Sequence, residues 1–126
     1  MYVEWRWEWS FEILPQMLWA TLNTFLAAGV GYAIAAIVGI LFMLGQRTPY
    51  KIVNIPTREI VEFIRSTPLL VQLFFVYFVA PQFGLTLSAW ACAMITIGLH
   101  YGTYLSEVYR GALEGVPKTQ WEACRA

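Results

Sequence analysis

The chain has 126 residues and no net charge, and it is 59% hydrophobic with only 13% charged residues, against about 25% in a typical soluble domain. That deficit argues against a free-standing soluble domain, and 8 basic residues balanced by 8 acidic ones leave no basic surface for nucleic acid. Positions 13–46 and 66–106 carry no charge at all, whereas a bilayer crossing needs only about 20 apolar residues in a row. The chain therefore reads as an all-α integral membrane helical bundle, in contact with lipid and not with nucleic acid.

The N-terminal tail, 1–12, sets Glu4, Glu8 and Glu12 against Arg6. It lacks the basic start and short apolar core of a signal peptide. Trp5, Trp7, Trp9 and Trp19 suit an interfacial belt, where amphipathic rings prefer to lie. A first span is expected over 17–44, closed by Gly45, Arg47 and Pro49. Within it Ala27, Gly31, Ala35 and Gly39 recur every four residues. Small residues are common in membrane helices, but a four-member register favours a packing face on which another helix approaches closely.

The second span is expected over 57–80. Its uncharged part is too short to cross alone, so the helix must start near Thr57, where Arg58 can meet Glu62 and Glu62 can meet Arg65. Pro68 should bend or restart it. A polar, proline-interrupted stretch at membrane depth is tolerated only against protein or water, so Arg65, Ser66, Thr67 and Pro68 should face a cavity or a partner. Pro81 to Gly84 make a turn. The third span and its extension are expected over 88–113, where Gly98, Gly102 and Ser106 repeat the close-packing spacing.

The single histidine, His100, falls in that span. An intramembrane ionisable group is a candidate proton relay or ligand, and a neutral imidazole bonded to a neighbouring helix carries at least equal weight. Glu107 and Arg110, three residues apart, read as a structural ion pair at the membrane boundary. Cys92 and Cys124 fall at different depths and read as packing residues, not as a disulfide or metal site. No nucleophile–base pair, metal cluster or phosphate-binding loop is present, so the chain reads as a non-enzyme that binds no cofactor itself. Arg47, Lys51, Arg58 and Arg65 place their loop in the cytoplasm, which leaves the N-terminus outside and the C-terminus inside.

Gly115 and Pro117 break the third helix, and a short cytoplasmic helix should start at Lys118. The run from Val116 to Cys124 resembles the opening of the EAA loop of bacterial ABC importer permeases, over 117–126. Glu62 to Gln72 resembles the R-G/S-T-P-L segment of the polar amino acid branch of that family. Tyr104 to Ala112 resembles its Y-x-x-E-x-x-R-G/A-A/G segment. The three lie in the family's order and on the topology it implies. Leu99 to Tyr104 and Gln120 to Glu122 also resemble permeases of ectoine and hydroxyectoine importers.

The resemblance implies a permease subunit in the bacterial inner membrane, with three transmembrane helices of a five-helix core, ending within the EAA loop. It implies a second permease subunit, an extracytoplasmic solute-binding protein and a cytoplasmic ATPase subunit that binds the ATP, since no Walker motif is present here. Gln120, Trp121, Glu122, Ala123 and Cys124 would contact the ATPase, with Cys124 standing where the family has a second alanine. Arg65, Ser66, Thr67 and Pro68 would line a cytoplasmic gate. The rival reading is a small non-transporting membrane scaffold or assembly protein, which would need the packing faces but has no use for the segment after Pro117.

Overall fold

The structure is a computed structural model that describes residues 7–124. Expectations for Glu4, Trp5 and Arg6, and for the last two residues, lie outside these. Among the described residues every regular element is helical. Helix α1 runs Trp7–Arg47, about 60 Å at 1.5 Å per residue. It starts well before position 17 and carries Pro15 within it. Two of its threonines are served locally: Thr21 and Thr24 donate to Met17 O and Ala20 O at 2.8 and 3.0 Å, so neither hydroxyl is left unpaired among apolar neighbours.

Helix α2 runs Lys51–Ser66, six residues longer at its start than a helix beginning near Thr57. Pro56 lies inside it rather than in front of it. The earlier start is fixed by Asn54, whose side-chain amide donates to Gln46 O and Thr48 O at 2.5 and 3.2 Å. Those are carbonyls at the C-terminal end of α1, where a helix leaves acceptors without partners. One side chain therefore ties the end of α1 to the first turns of α2.

The stretch 57–80 is not one helix. α2 ends at Ser66, α3 runs Leu69–Phe74, and a π turn (Phe75–Val79) and a 3-10 turn (Ala80–Phe83) follow. Between the two arms, Lys51–Ser66 and Leu69–Phe83, the chain bends by 103°. Gly84, at φ 82°, ends the second arm in the left-handed conformation that glycine adopts without strain. Its N–H donates to Pro81 O, and that of Leu85 to Ala80 O. Helix α4 runs Ala89–Glu114 behind an N-cap at Ser88, whose hydroxyl accepts from Ala91 N. Helix α5 runs Lys118–Ala123.

Three apolar spans do not stand out equally. Among the described residues α1 is long and apolar enough to cross by itself, and the bent pair qualifies only when its arms are taken together. α4 has the length, with 26 residues, but it buries Thr96, His100, Thr103 and Ser106. Those polar groups face protein, where intramembrane polar residues belong.

The interior is small and polar, and the exterior large and apolar. The buried hydrophobic side chains are Ala35, Met43, Val61 and Cys92, beside buried Gln46, Thr96, His100, Thr103 and Ser106. Phe25, Phe63, Phe75 and Phe78 all stand more than half exposed. A soluble core is the reverse of this; lipid as solvent accounts for it, because helices there associate through close packing and hydrogen bonds. The main contact is α1 against α4. Gly31, Ala35 and Gly39 are buried along α1, while Ala27 sits half-buried at the edge. A methyl group at Gly31 would meet Ile97 at 2.8 Å, and one at Gly39 would meet Leu105 at 2.9 Å. Gly98 and Gly102 in turn receive Ile34 and Val38.

Candidate functional site

The break between α2 and α3 is built by the residues of the Arg65-to-Pro68 stretch. Pro68 has no N–H, so it cannot donate to Ile64 O as a helix would require. Thr67 N turns to Ile64 O instead, at 3.3 Å, which takes the helical donor away from Phe63 O. Two hydroxyls replace it: Ser66 Oγ and Thr67 Oγ1 donate to Phe63 O at 3.0 and 2.8 Å. Val71 N and Gln72 N both bond Pro68 O, so Thr67 O lacks a main-chain donor. The side chain of Gln72 supplies it, its Nε2 donating to Thr67 O at 2.9 Å and to Ile64 O at 2.7 Å. The polar residues of this stretch thus pay for the kink with their own side chains, as membrane depth requires.

His100 is part of the same arrangement. Gln72 Nε2 also lies 3.1 Å from His100 Nδ1; an amide N–H can only donate, so a hydrogen bond there requires the tautomer that carries the ring proton on Nε2. The ring packs against Tyr101 and Tyr104, with centroids 5.3 Å away in each case. This is the imidazole bonded to a neighbouring helix.

Beside the break an open polar cleft of about 570 Å³ lies between three helices. α1 contributes Gln46; α2 contributes Arg58, Val61, Glu62, Arg65 and Ser66; α4 contributes Tyr104, Glu107 and Arg110. The structure therefore brings Arg65 and Ser66 together with Glu107 and Arg110, while Thr67 and Pro68 stay behind in the kink. Arg65 sets its guanidinium 5.2 Å above the centre of the Tyr104 ring, a cation–π contact. Arg58, Glu62 and Arg65 make no ion pair with one another; beside them Arg110 pairs with Glu107, at 2.5 Å, and with Glu114, at 3.0 Å.

Glu107 is the first charged residue of α4, after the uncharged stretch that ends at position 106. The Arg110 guanidinium bonded to it holds its carboxyl below the ordinary value, against an opposing push from burial, with smaller help from Gln46 and the charge of Arg65. Gln46, Gln72 and Tyr104 join the site beside the residues expected from the sequence. Gln46 is buried on the same face as Gly31, Ala35, Gly39 and Met43, but it stands three residues past Met43, so the four-residue spacing of the stripe does not reach it.

The predicted coupling residues are elsewhere. α5 packs against no other helix among the described residues, and Gln120, Trp121, Glu122, Ala123 and Cys124 are all exposed. Cys124 is therefore not a packing residue within this chain, whereas Cys92 is buried. Among the described residues no group of three or more His, Cys, Asp or Glu side chains could hold a metal ion.

Residues 31–126 match the family described as binding-protein-dependent transport system inner membrane component. A probable amino-acid ABC transporter permease protein of Sinorhizobium fredii, y4tG, is 38% identical over 119 residues, which cover 93% of this chain and 51% of the relative. The nopaline transport system permease protein NocM of Agrobacterium fabrum is 34% identical, over 91% of this chain and 52% of its own length. The chain thus spans about half the length of these curated relatives. A chain from a crystal structure of an amino acid ABC transporter with histidines superposes on 99% of it with a TM-score of 0.88 at 25% identity, using 57% of the solved chain. With a matched region that takes in both packing faces, the break, the cleft and α5, the chain belongs to the family of binding-protein-dependent transport system inner membrane components.

Proposed function

We propose that this chain acts as a transmembrane permease subunit of an ATP-driven importer for a polar amino acid or a related compatible solute such as ectoine. In this reading it works with a second permease subunit, a solute-binding protein outside and an ATPase inside, and the ATPase holds the ATP. The observation that carries the reading is α5: a short helix set off from α4 by Gly115 and Pro117, with Trp121 44% exposed and no packing partner among the described helices. A helix so placed suits docking on a soluble subunit. Movement of that subunit then reaches α4 directly through the residues between Glu114 and Lys118.

The cleft supports a matching orientation. Arg58 and Arg65 of α2 lie beside Glu107 and Arg110, at the end of α4 that leads to α5. The basic stretch 47–65 and the coupling helix thus share one end of the bundle, which the positive-inside rule assigns to the cytoplasm. Arg65 and Ser66 line a cytoplasmic gate in this reading, and Thr67 and Pro68 fix its angle. ATPase closure shifts the gate by favouring one of two arrangements of the bundle.

The test is capture of the ATPase subunit on the full-length permease, with Glu122→Lys and Ala123→Arg as variants. The wild type should retain it and both variants should lose it. A wild type that retains no ATPase sinks the permease reading and leaves a membrane scaffold. Competition by ectoine against uptake of labelled polar amino acids then identifies the cargo.

A further inference from the structure

The amide of Gln72 faces three acceptors: Ile64 O at 2.7 Å, Thr67 O at 2.9 Å and His100 Nδ1 at 3.1 Å. A side-chain amide carries only two N–H donors, so the three cannot all be full hydrogen bonds at once. Two acceptors belong to the kinked segment itself and the third belongs to α4. The kink leaves Ile64 O with only a long main-chain bond, 3.3 Å from Thr67 N, and Thr67 O with no main-chain donor. Leaving them unserved at membrane depth is costly. The His100 contact is the longest of the three, and its loss leaves no carbonyl unserved.

We propose that the Gln72–His100 contact is a releasable latch. It joins the kinked α2–α3 segment to α4 in one state of the transporter and opens in the other, while Gln72 stays on Ile64 O and Thr67 O. This rests on the permease reading above. Gln72 and His100 are positioning residues; neither needs to touch cargo. The latch lies next to the cleft, because Tyr104 sits one turn beyond His100, touches its ring and carries the guanidinium of Arg65. Movement of α4 past the break therefore opens the latch and shifts the Arg65 end of the cleft together.

The test uses the assembled transporter in liposomes. His100→Asn keeps an acceptor near the place of Nδ1, and His100→Leu removes it. ATP-driven uptake should stay near wild type in H100N and lose about tenfold in turnover in H100L, with KM for cargo unchanged. Gln72→Met with His100→Leu should be no worse than Gln72→Met alone, because without the donor the acceptor has nothing to lose. Losses that multiply in the double variant, or an H100N as impaired as H100L, overturn the latch. A second measurement needs no variant: the ring-nitrogen resonances of His100. In one of two conditions, without nucleotide or with the ATPase trapped closed, they should show the proton on Nε2 and a hydrogen-bonded Nδ1, and the Nδ1 signal should shift in the other. A proton on Nδ1 in both conditions, or no shift between them, overturns the proposal. If the wild type moves no cargo, the permease reading fails, and the nitrogen spectrum still decides the contact.

Discussion

Gly102 on α4 and Val38 on α1 fit together with no room for a methyl group: a Cβ at Gly102 would stand 2.7 Å from Val38 Cγ1 and 3.3 Å from Ala35 O. Val38 is β-branched and stiff in a helix, and the carbonyl belongs to the backbone, so neither can give way cheaply. Gly102→Ala should therefore destabilise the bundle by about 1–3 kcal/mol, the usual cost of overpacking. Gly29 and Gly111 have open space where a methyl would go, so alanine there should be neutral or stabilise by up to about 1 kcal/mol through helix propensity. Thermal unfolding in detergent separates the two classes. A Gly102→Ala variant as stable as Gly111→Ala would show that α1 and α4 do not approach this closely.

The two hydroxyls on Phe63 O back each other up. Ser66→Ala leaves the bond from Thr67 Oγ1, and Thr67→Val leaves the one from Ser66 Oγ. Each single variant should cost less than about 1 kcal/mol. The double variant leaves a carbonyl unserved and should cost about 1–3 kcal/mol, more than the sum of the singles. Additive losses on unfolding the three variants would mean that the hydroxyls serve different groups.

What the sequence displayed and what it concealed follow from the range of the interactions. The Gly31, Ala35, Gly39 and Gly98, Gly102 faces are periodic, so they can be read without knowing what lies opposite. Pro68 announces a break for the same reason, because its missing N–H is a local fact. The angle of 103° is another matter. It depends on Ser66, Thr67 and Gln72 finding the freed carbonyls, and Gln72 lies eight residues beyond Ile64. The early start of α2 was hidden similarly, since Asn54 acts on carbonyls of the preceding helix while Pro56 suggests a boundary. An uncharged amide in an apolar run gives no periodic signal. Gln46 and Gln72 were thus the least legible of the residues that shape the site.

Arg65 and Tyr104 offer a test of the cleft that does not depend on transport. The ring face holds the guanidinium, so Tyr104→Phe should be nearly neutral. Tyr104→Leu should cost about 0.5–1 kcal/mol through the lost cation–π pair, beyond what it loses against the His100 ring. In an Arg65→Ala background the same Leu substitution should lose most of that cost, since the interaction is already gone. Equal penalties in both backgrounds, read from unfolding midpoints, would place Arg65 away from the ring.

The ion pair of Glu107 with Arg110 gives the bundle a dependence on acid. Arg110 lowers the Glu107 pKa below its ordinary 4.5 in the folded chain. The folded state therefore binds the proton more weakly than the unfolded one. The resulting stability is fully present above 4.5 and fades as pH falls through the lower folded value. Its size is modest, because the two side chains are 33% and 28% exposed and solvent screens such pairs to about 1 kcal/mol or less. Arg110 stays charged throughout and keeps Glu114 as a second partner, which softens the loss further. The unfolding midpoint of wild type should exceed that of Glu107→Gln by a constant amount from pH 7 to 5. The gap should narrow below 4.5 as the wild-type carboxyl takes up the proton that the amide already mimics. A gap that stays level down to pH 3 would mean that Glu107 acts through packing or through its neutral hydrogen bonds, and not as the anion that Arg110 holds.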